Sequence, residues 1–171
     1  MKISKIKINS INFFNLFFSK EINHTYKINN LKKFLNSGKN LIFLGRARTG
    51  IYILTKYFLN ASNSKHKNVL IVPFTIPDII NLIKKAGGNP IFLDFDNYST
   101  FICLKDLKFK IKKYKPKILV LTHYHLEEKN IKEIVKICKK NSIVLIEDRA
   151  VSYGTLKKNK VYGDAAVFSF S

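Results

Sequence analysis

From Leu41 onward, short apolar runs alternate with longer segments whose apolar residues recur at helical spacing, and nothing else in the chain restricts its fold as tightly. Leu41–Leu44 precedes the periodic stretch that starts at Ile51, and Val69–Val72 precedes Ile79–Lys85. Ile91–Phe95 precedes Leu104–Lys112, Ile118–Leu121 precedes Ile131–Lys139, and Ser142–Ile146 follows, with a last strand-like run at Ala165–Phe170. Apolar runs of about five residues bounded by turn signals read as strands buried on both faces. Amphipathic segments of about ten residues between them read as the helices of βαβ units. The pattern predicts an α/β domain, a three-layer sandwich with helices on both faces of a mostly parallel sheet. No repeat of fixed period and no long linker interrupts residues 41–171, which are expected to form one domain.

Residues 1–40 follow a different pattern. They are rich in Lys, Asn and aromatic residues without a clean period, and read as an irregular or helical arm with Ile28–Phe34 helical. Phe13, Phe14, Phe17 and Phe18 lie in an arm too short for its own core, so they are expected to pack on this domain or on a second subunit. The apolar piece Ile11–Phe18 is interrupted by asparagines and lacks a small-residue cleavage site after it. It also falls far short of the roughly 20 residues of a membrane-spanning helix. Cys103 and Cys138 stand far apart in apolar surroundings, with no Cys-x-x-Cys or Cys/His cluster, and are expected to be free thiols. Together these features predict a cytoplasmic protein with no membrane segment.

Charge narrows the partners. The 171 residues hold 31 basic and 11 acidic side chains, a net +20, which raises the question of nucleic acid. The excess is almost all lysine, spread over the whole chain beside abundant Ile and Asn. Arginine, the residue suited to bidentate base and phosphate contacts, occurs only at Arg46, Arg48 and Arg149. A solvated lysine surface is the favoured reading over a nucleic-acid site.

The candidate chemistry falls at expected strand ends. Glu147 and Asp148 close the Ser142–Ile146 run, placing Asp148 at a carboxyl end, where ligands bind in open α/β sheets. An unpaired buried carboxylate is costly, so Asp148 is expected to face a cation. Gly45–Gly50 joins an apparent strand to an apparent helix start and, with Arg46 and Arg48, could hold a phosphate on backbone N–H groups. It matches neither the GxxxxGK[ST] nor the GxGxxG pattern. Pro73–Pro77 lies at the same rim, where Pro77 reads as a turn former. His123 and His125, at i and i+2, could hold a metal but lack a third ligand of matching spacing, and a surface or hydrogen-bonded pair is favoured. Asp94 and Asp96 read as turn or helix caps.

Taken in order, VPFTIPDIINLIKKAGGNPIFLDFD, THYH, the acid pair in VLIEDRAVSYG and GDAAVFSFS resemble the successive landmarks of the DegT/DnrJ/EryC1/StrS family over roughly residues 40–171. The resemblance implies the large domain of a fold type I enzyme that uses pyridoxal 5'-phosphate, most members being sugar-nucleotide aminotransferases. It implies that Asp148 pairs with the pyridinium nitrogen, that Ala47, Arg48 and Ser169 meet the cofactor phosphate, and that Ile76 and Val151 occupy the positions beside the ring. Ile76 stands where an aromatic residue often stacks, Val151 where Gln or His reaches the ring hydroxyl, and Arg48 where a small hydroxyl residue is usual. The Schiff-base lysine is expected beyond Ser171, and the C-terminal small domain is absent, so this chain is expected to be an inactive N-terminal part. Implied partners are a nucleotide-linked keto-sugar, an amino-acid amino donor and a second subunit of a homodimer. Alternatives are a noncatalytic remnant or regulatory module of the same fold, or a basic nucleic-acid-associated α/β domain.

Overall fold

The computed structural model describes residues 42–62, 65–97, 99–124, 126–152 and 160–169. Residue contacts divide the chain into two units, residues 1–42 with 157–160 and residues 43–156 with 161–171. The second unit holds the helices and strands of the α/β architecture. The readings of the arm at residues 1–40, including Ile28–Phe34 and its phenylalanines, fall outside the described residues.

Helices and strands alternate in the order α1 (Ala47–Ala61), β1 (Asn68–Ile71), α2 (Pro77–Lys85), β2 (Asn89–Phe92), α3 (Leu104–Tyr114), β3 (Ile118–Thr122), α4 (Ile131–Lys140), β4 (Val144–Asp148) and β5 (Ala165–Val167). The five strands form one sheet in the order β2-β1-β3-β4-β5, with every neighbouring pair parallel. Strand alternation sorts the side chains onto two faces. Val69, Ile71, Ile118, Val120 and Ile146 pack with Ile51 and Leu59 of α1 and Ile79 and Ile83 of α2. Leu70, Leu119, Leu121 and Leu145 pack on the other face with α3 and α4, through Leu107, Ile111, Ile131, Ile134 and Cys138. The chain steps one way from β1 to β2 and the other way from β2 to β3. Right-handed crossovers then place α2 and α3 on opposite faces. The result is the predicted three-layer sandwich.

Helix ends follow local chemistry. Pro77 occupies the first turn of α2, where a missing N–H costs nothing, rather than forming a separate turn as expected. Asp78 sits in that first turn and Lys84 and Lys85 in the last, each sign matched to the helix dipole. Beyond α2, Gly88 N–H donates to the Ile83 carbonyl and Gly87 N–H to the Lys84 carbonyl. This pairing requires Gly87 at φ 89°, a conformation glycine adopts without penalty.

Four sequence readings need correction. Residues 42–46 form no strand; Phe43 and Leu44 are about half exposed, with no strand beside them among the described residues, and the segment leads straight into α1. Ala47–Gly50 is therefore the first turn of α1 rather than a loop. β2 begins at Asn89 and ends at Phe92, earlier than the Ile91–Phe95 run, while Phe95 bridges to Ile102 in antiparallel fashion. Pro90 fits within β2 because this is an edge strand. β5 ends at Val167, short of the Ala165–Phe170 run. The placing of Asp148 at the carboxyl end of a strand holds: it is the last residue of β4, held between Thr122 of β3 and Val167 of β5.

Candidate active site

The strand order places β1 beside β3, the point at which the chain reverses direction across the sheet. In such sheets the crevice outside the carboxyl ends of the strands is the ligand site. Asp148 lies at that rim. Its side chain falls on the α1/α2 face, with the parity of Val144 and Ile146, and is only 7% exposed. Oδ1 accepts the Ala150 N–H at 3.1 Å, and Oδ2 faces the Thr122 hydroxyl at 3.5 Å. Burial pushes the Asp148 carboxyl above the usual range, and the Ala150 amide and Thr122 hydroxyl offset only part of that. Among the described residues no Lys, Arg or His forms an ion pair with it. The expected cation is not a side chain of the described protein.

The first turn of α1 approaches the same place. Arg46 is its N-cap without a side-chain capping bond, and no acidic residue lies in the first turn. The N–H groups there lack the negative partner that stabilises most helix starts. A Cβ at Gly50 would lie 3.1 Å from Val167 Cγ2, a tight contact that shows how closely the helix settles on β5. Val167 is the register partner of Asp148. The anion-seeking end of α1 and the cation-seeking carboxylate thus flank one strand end on one face of the sheet. Ala47 packs at the edge of the adjoining core, while Arg48 is partly exposed and paired with Asp78 of α2.

The other predicted site residues are distributed around the rim. Ile76 is the half-exposed N-cap of α2, Val151 is half-exposed just past Asp148, and Ser169 is partly buried two residues beyond β5. Three aromatic rings that the sequence reading did not single out stand beside them. Phe74 stacks on Tyr124 with centroids 5.4 Å apart and contacts Phe95 at 5.3 Å. They come from loops after β1, β3 and β2, and the signal for them was their shared position just past the apolar runs. Asp94 and Asp96 pair with Lys110 and Lys129 rather than capping helices with their side chains.

Glu147, next to Asp148, has a different environment. It is fully buried on the α3/α4 face and bonded to His123 and Arg149. His123 is buried and hydrogen-bonded, and His125 lies outside the described residues. Burial would raise the Glu147 carboxyl, but the His123 bond, the Arg149 charge and the Gly163 amide outweigh it and bring it down to about 2. Arg149 is 1% exposed; Glu127 lies 3.5 Å from Nη2, and Nη1 has no partner among the described residues.

An open parallel sheet covered on both faces, with a buried carboxylate that has no ion-pair partner among the described residues beside a helix start without a side-chain cap, defines an α/β domain with a candidate ligand site at its carboxyl rim. Residues 37–171 match the model of the DegT/DnrJ/EryC1/StrS aminotransferase family, and the chain belongs to that family. It is similar to the GDP-perosamine synthases of Escherichia coli O157:H7, at 31% identity over 63% of this chain, and Vibrio cholerae, at 31% over 60%. The chain spans 30% and 28% of the lengths of those relatives. Its fold is similar to that of Helicobacter pylori PseC, an aminotransferase involved in the biosynthesis of pseudoaminic acid, with a TM-score of 0.72 and 23% identity over 90% of this chain and 41% of that one. The sheet and its helices are the large-domain fold of fold type I aminotransferases. No described helix is long and apolar enough to cross a membrane.

Proposed function

We propose that residues 43–171 form the pyridoxal 5'-phosphate-binding part of a cytoplasmic, homodimeric aminotransferase. Its substrate on this reading is a nucleotide-linked keto-sugar, its amino donor an amino acid, and its place amino-sugar or cell-surface polysaccharide biosynthesis. The observation that carries the reading is Asp148, a desolvated carboxylate with no basic partner among the described residues, standing at the strand end on which the uncapped start of α1 is packed. A ligand with a protonated ring nitrogen at one end and a phosphate at the other satisfies both. The substrate class is supported by the GDP-perosamine synthase relatives, and the compartment by the free thiols of Cys103 and Cys138.

The residues fit that group. Asp148 would hold the ring nitrogen and keep it protonated. Ala47 and Arg48, at the start of α1, would hold the phosphate together with the Ser169 hydroxyl. Ile76 would cover the ring with apolar surface, and Val151 would leave the ring hydroxyl without a side-chain hydrogen bond. When bound, the cofactor supplies an electron sink for the substrate carbon. No lysine within residues 1–171 is assigned the covalent role, so cofactor binding is the property that tests the reading.

Pyridoxamine 5'-phosphate is the suitable probe, because its amine does not condense with surface lysines. Calorimetric titration is expected to show saturable binding, weakened roughly 10- to 100-fold in Asp148→Asn, the scale of one charge-assisted hydrogen bond. Absence of binding to the unaltered chain, or equal affinity in Asp148→Asn, would overturn the reading.

A further inference from the structure

Glu147 lies next to the site carboxylate in sequence but on the opposite face of the sheet. Its carboxylate accepts five hydrogen bonds: His123 Nε2 at 2.8 Å, Arg149 Nε at 2.9 Å and Nη2 at 2.7 Å, and the Tyr162 and Gly163 amides at 2.6 Å each. These donors come from three segments: the residue after β3, the residue after β4, and the pair leading into β5. His123 Nδ1 accepts the Glu128 N–H at 3.2 Å, which assigns the ring proton to Nε2 and aims it at Glu147.

The same residues also grip the strand end through their backbones. His123 N–H donates to the Asp148 carbonyl at 2.9 Å, and Arg149 N–H donates to the Val167 carbonyl at 2.8 Å. The two residues whose side chains bond Glu147, His123 and Arg149, therefore fasten by their own amides Asp148 and the strand residue paired with it. Gly163 completes the junction. A Cβ there would lie 2.6 Å from the Leu145 carbonyl oxygen, so no other residue lets its amide reach Glu147 from this position.

We propose that Glu147 is a positioning residue for Asp148: by drawing His123, Arg149 and the Tyr162–Gly163 amides onto one buried anion, it sets the ends of β3, β4 and β5 in the register that presents Asp148 to the ring nitrogen of the ligand. This rests on the cofactor reading above. Glu147 touches no ligand and acts from behind the sheet. A neutral amide at this position keeps some acceptors but loses the charge that holds His123 and Arg149 together.

The test compares Glu147→Gln, His123→Asn and His123→Gln with Asp148→Asn, using pyridoxamine 5'-phosphate labelled with 15N in the ring. His123→Gln keeps a nitrogen donor near the Nε2 position, whereas His123→Asn keeps only the group near Nδ1. Glu147→Gln and His123→Asn are expected to weaken binding roughly tenfold, the lower end of the scale of one charge-assisted hydrogen bond. In both, the ring 15N shift is expected to move toward that of the unprotonated nitrogen, while His123→Gln stays within about twofold of the parent chain. Should Glu147→Gln fail to fold, the two His123 variants decide. Parent-like affinity and 15N shift in Glu147→Gln or His123→Asn, equal behaviour of the two His123 variants, or weaker binding with an unmoved shift would each overturn the proposal. If Asp148→Asn still weakens binding in those cases, the cofactor reading stands without it. If Asp148→Asn changes nothing, that reading itself fails.

Discussion

Glu147 and Asp148 are consecutive in β4, face opposite sides of the sheet, and are driven in opposite directions as acids. Five donors hold Glu147 ionised at about 2, whereas burial with little compensation pushes Asp148 upward. One carboxylate is satisfied by donors of the protein, and the other has no ion-pair partner among the described residues. Paired groups whose environments separate their acidities in this way mark a division of labour.

That division sets the acid limb of stability. Glu147 is lowered in the folded state, so its contribution is complete above the ordinary glutamate value of 4.5 and is lost as pH falls toward about 2. A shift of this size corresponds to about 3 kcal/mol. Asp148, raised in the folded state, acts in the other direction, its cost growing as pH rises from 3.8 through its folded value. Urea unfolding between pH 2 and 5, on the order of the carboxylate range, is expected to show a steep rise in stability with pH that flattens in Glu147→Gln. A parent-like slope in that variant would contradict the assignment.

Gly163→Ala is expected to destabilise the fold by about 1–3 kcal/mol. Its new methyl would meet the Leu145 carbonyl oxygen at 2.6 Å, an atom of the central sheet that cannot move aside. Gly45→Ala is the control, since no described residue lies within 4 Å of a Cβ there. Denaturant midpoints for the two variants should separate clearly.

Arg149→Met removes two of the five bonds to Glu147 and leaves that anion in a buried site with less compensation. The expected cost is about 3 kcal/mol. Combining it with Glu147→Gln is expected to cost less than the sum of the single changes, because the two residues share one interaction. A double-mutant cycle in urea measures the difference, and strict additivity would show that the pair is not coupled.

Asp78→Asn probes the exposed pair between the starts of α1 and α2. Both partners are well solvated, so the stability change is expected to stay below about 1 kcal/mol. Freed from Asp78, Arg48 should attract an anion more strongly. Pyridoxamine 5'-phosphate affinity is therefore expected to rise about two- to fivefold, with the gain shrinking as salt is added.

Much of the layer architecture was legible because its signals are local. Continuous apolar runs at Val69, Ile118 and Ser142 marked strands buried on both faces, and the spacing around Ile79, Leu104 and Ile131 marked the covering helices. Boundaries failed where burial, not composition, decides. Leu41–Leu44 is as apolar as the true strands, yet residues 42–44 pair with no strand among the described residues. Pro90 would argue against a strand in the middle of the sheet but is compatible with the edge position of β2. The site was partly legible in the same sense. Asp148 was chosen from its place after an apolar run, whereas Glu147, His123 and Arg149 offered no spacing that distinguishes a buried ionic junction from ordinary strand-end polarity.

The order of residues alone determined that this chain makes parallel strands with intervening helices and that two acids close the fourth strand, because side-chain period and strand length are properties of neighbouring residues. Only the tertiary structure decided which acid is neutralised. Position 147 meets donors from residues 123, 149, 162 and 163, brought together by a sheet order that no local pattern encodes, while Asp148, one residue and one face away, meets a single amide and a distant hydroxyl. Strand alternation turned a one-residue step into the difference between an anion with five donors and one that burial penalises with little compensation among the described residues.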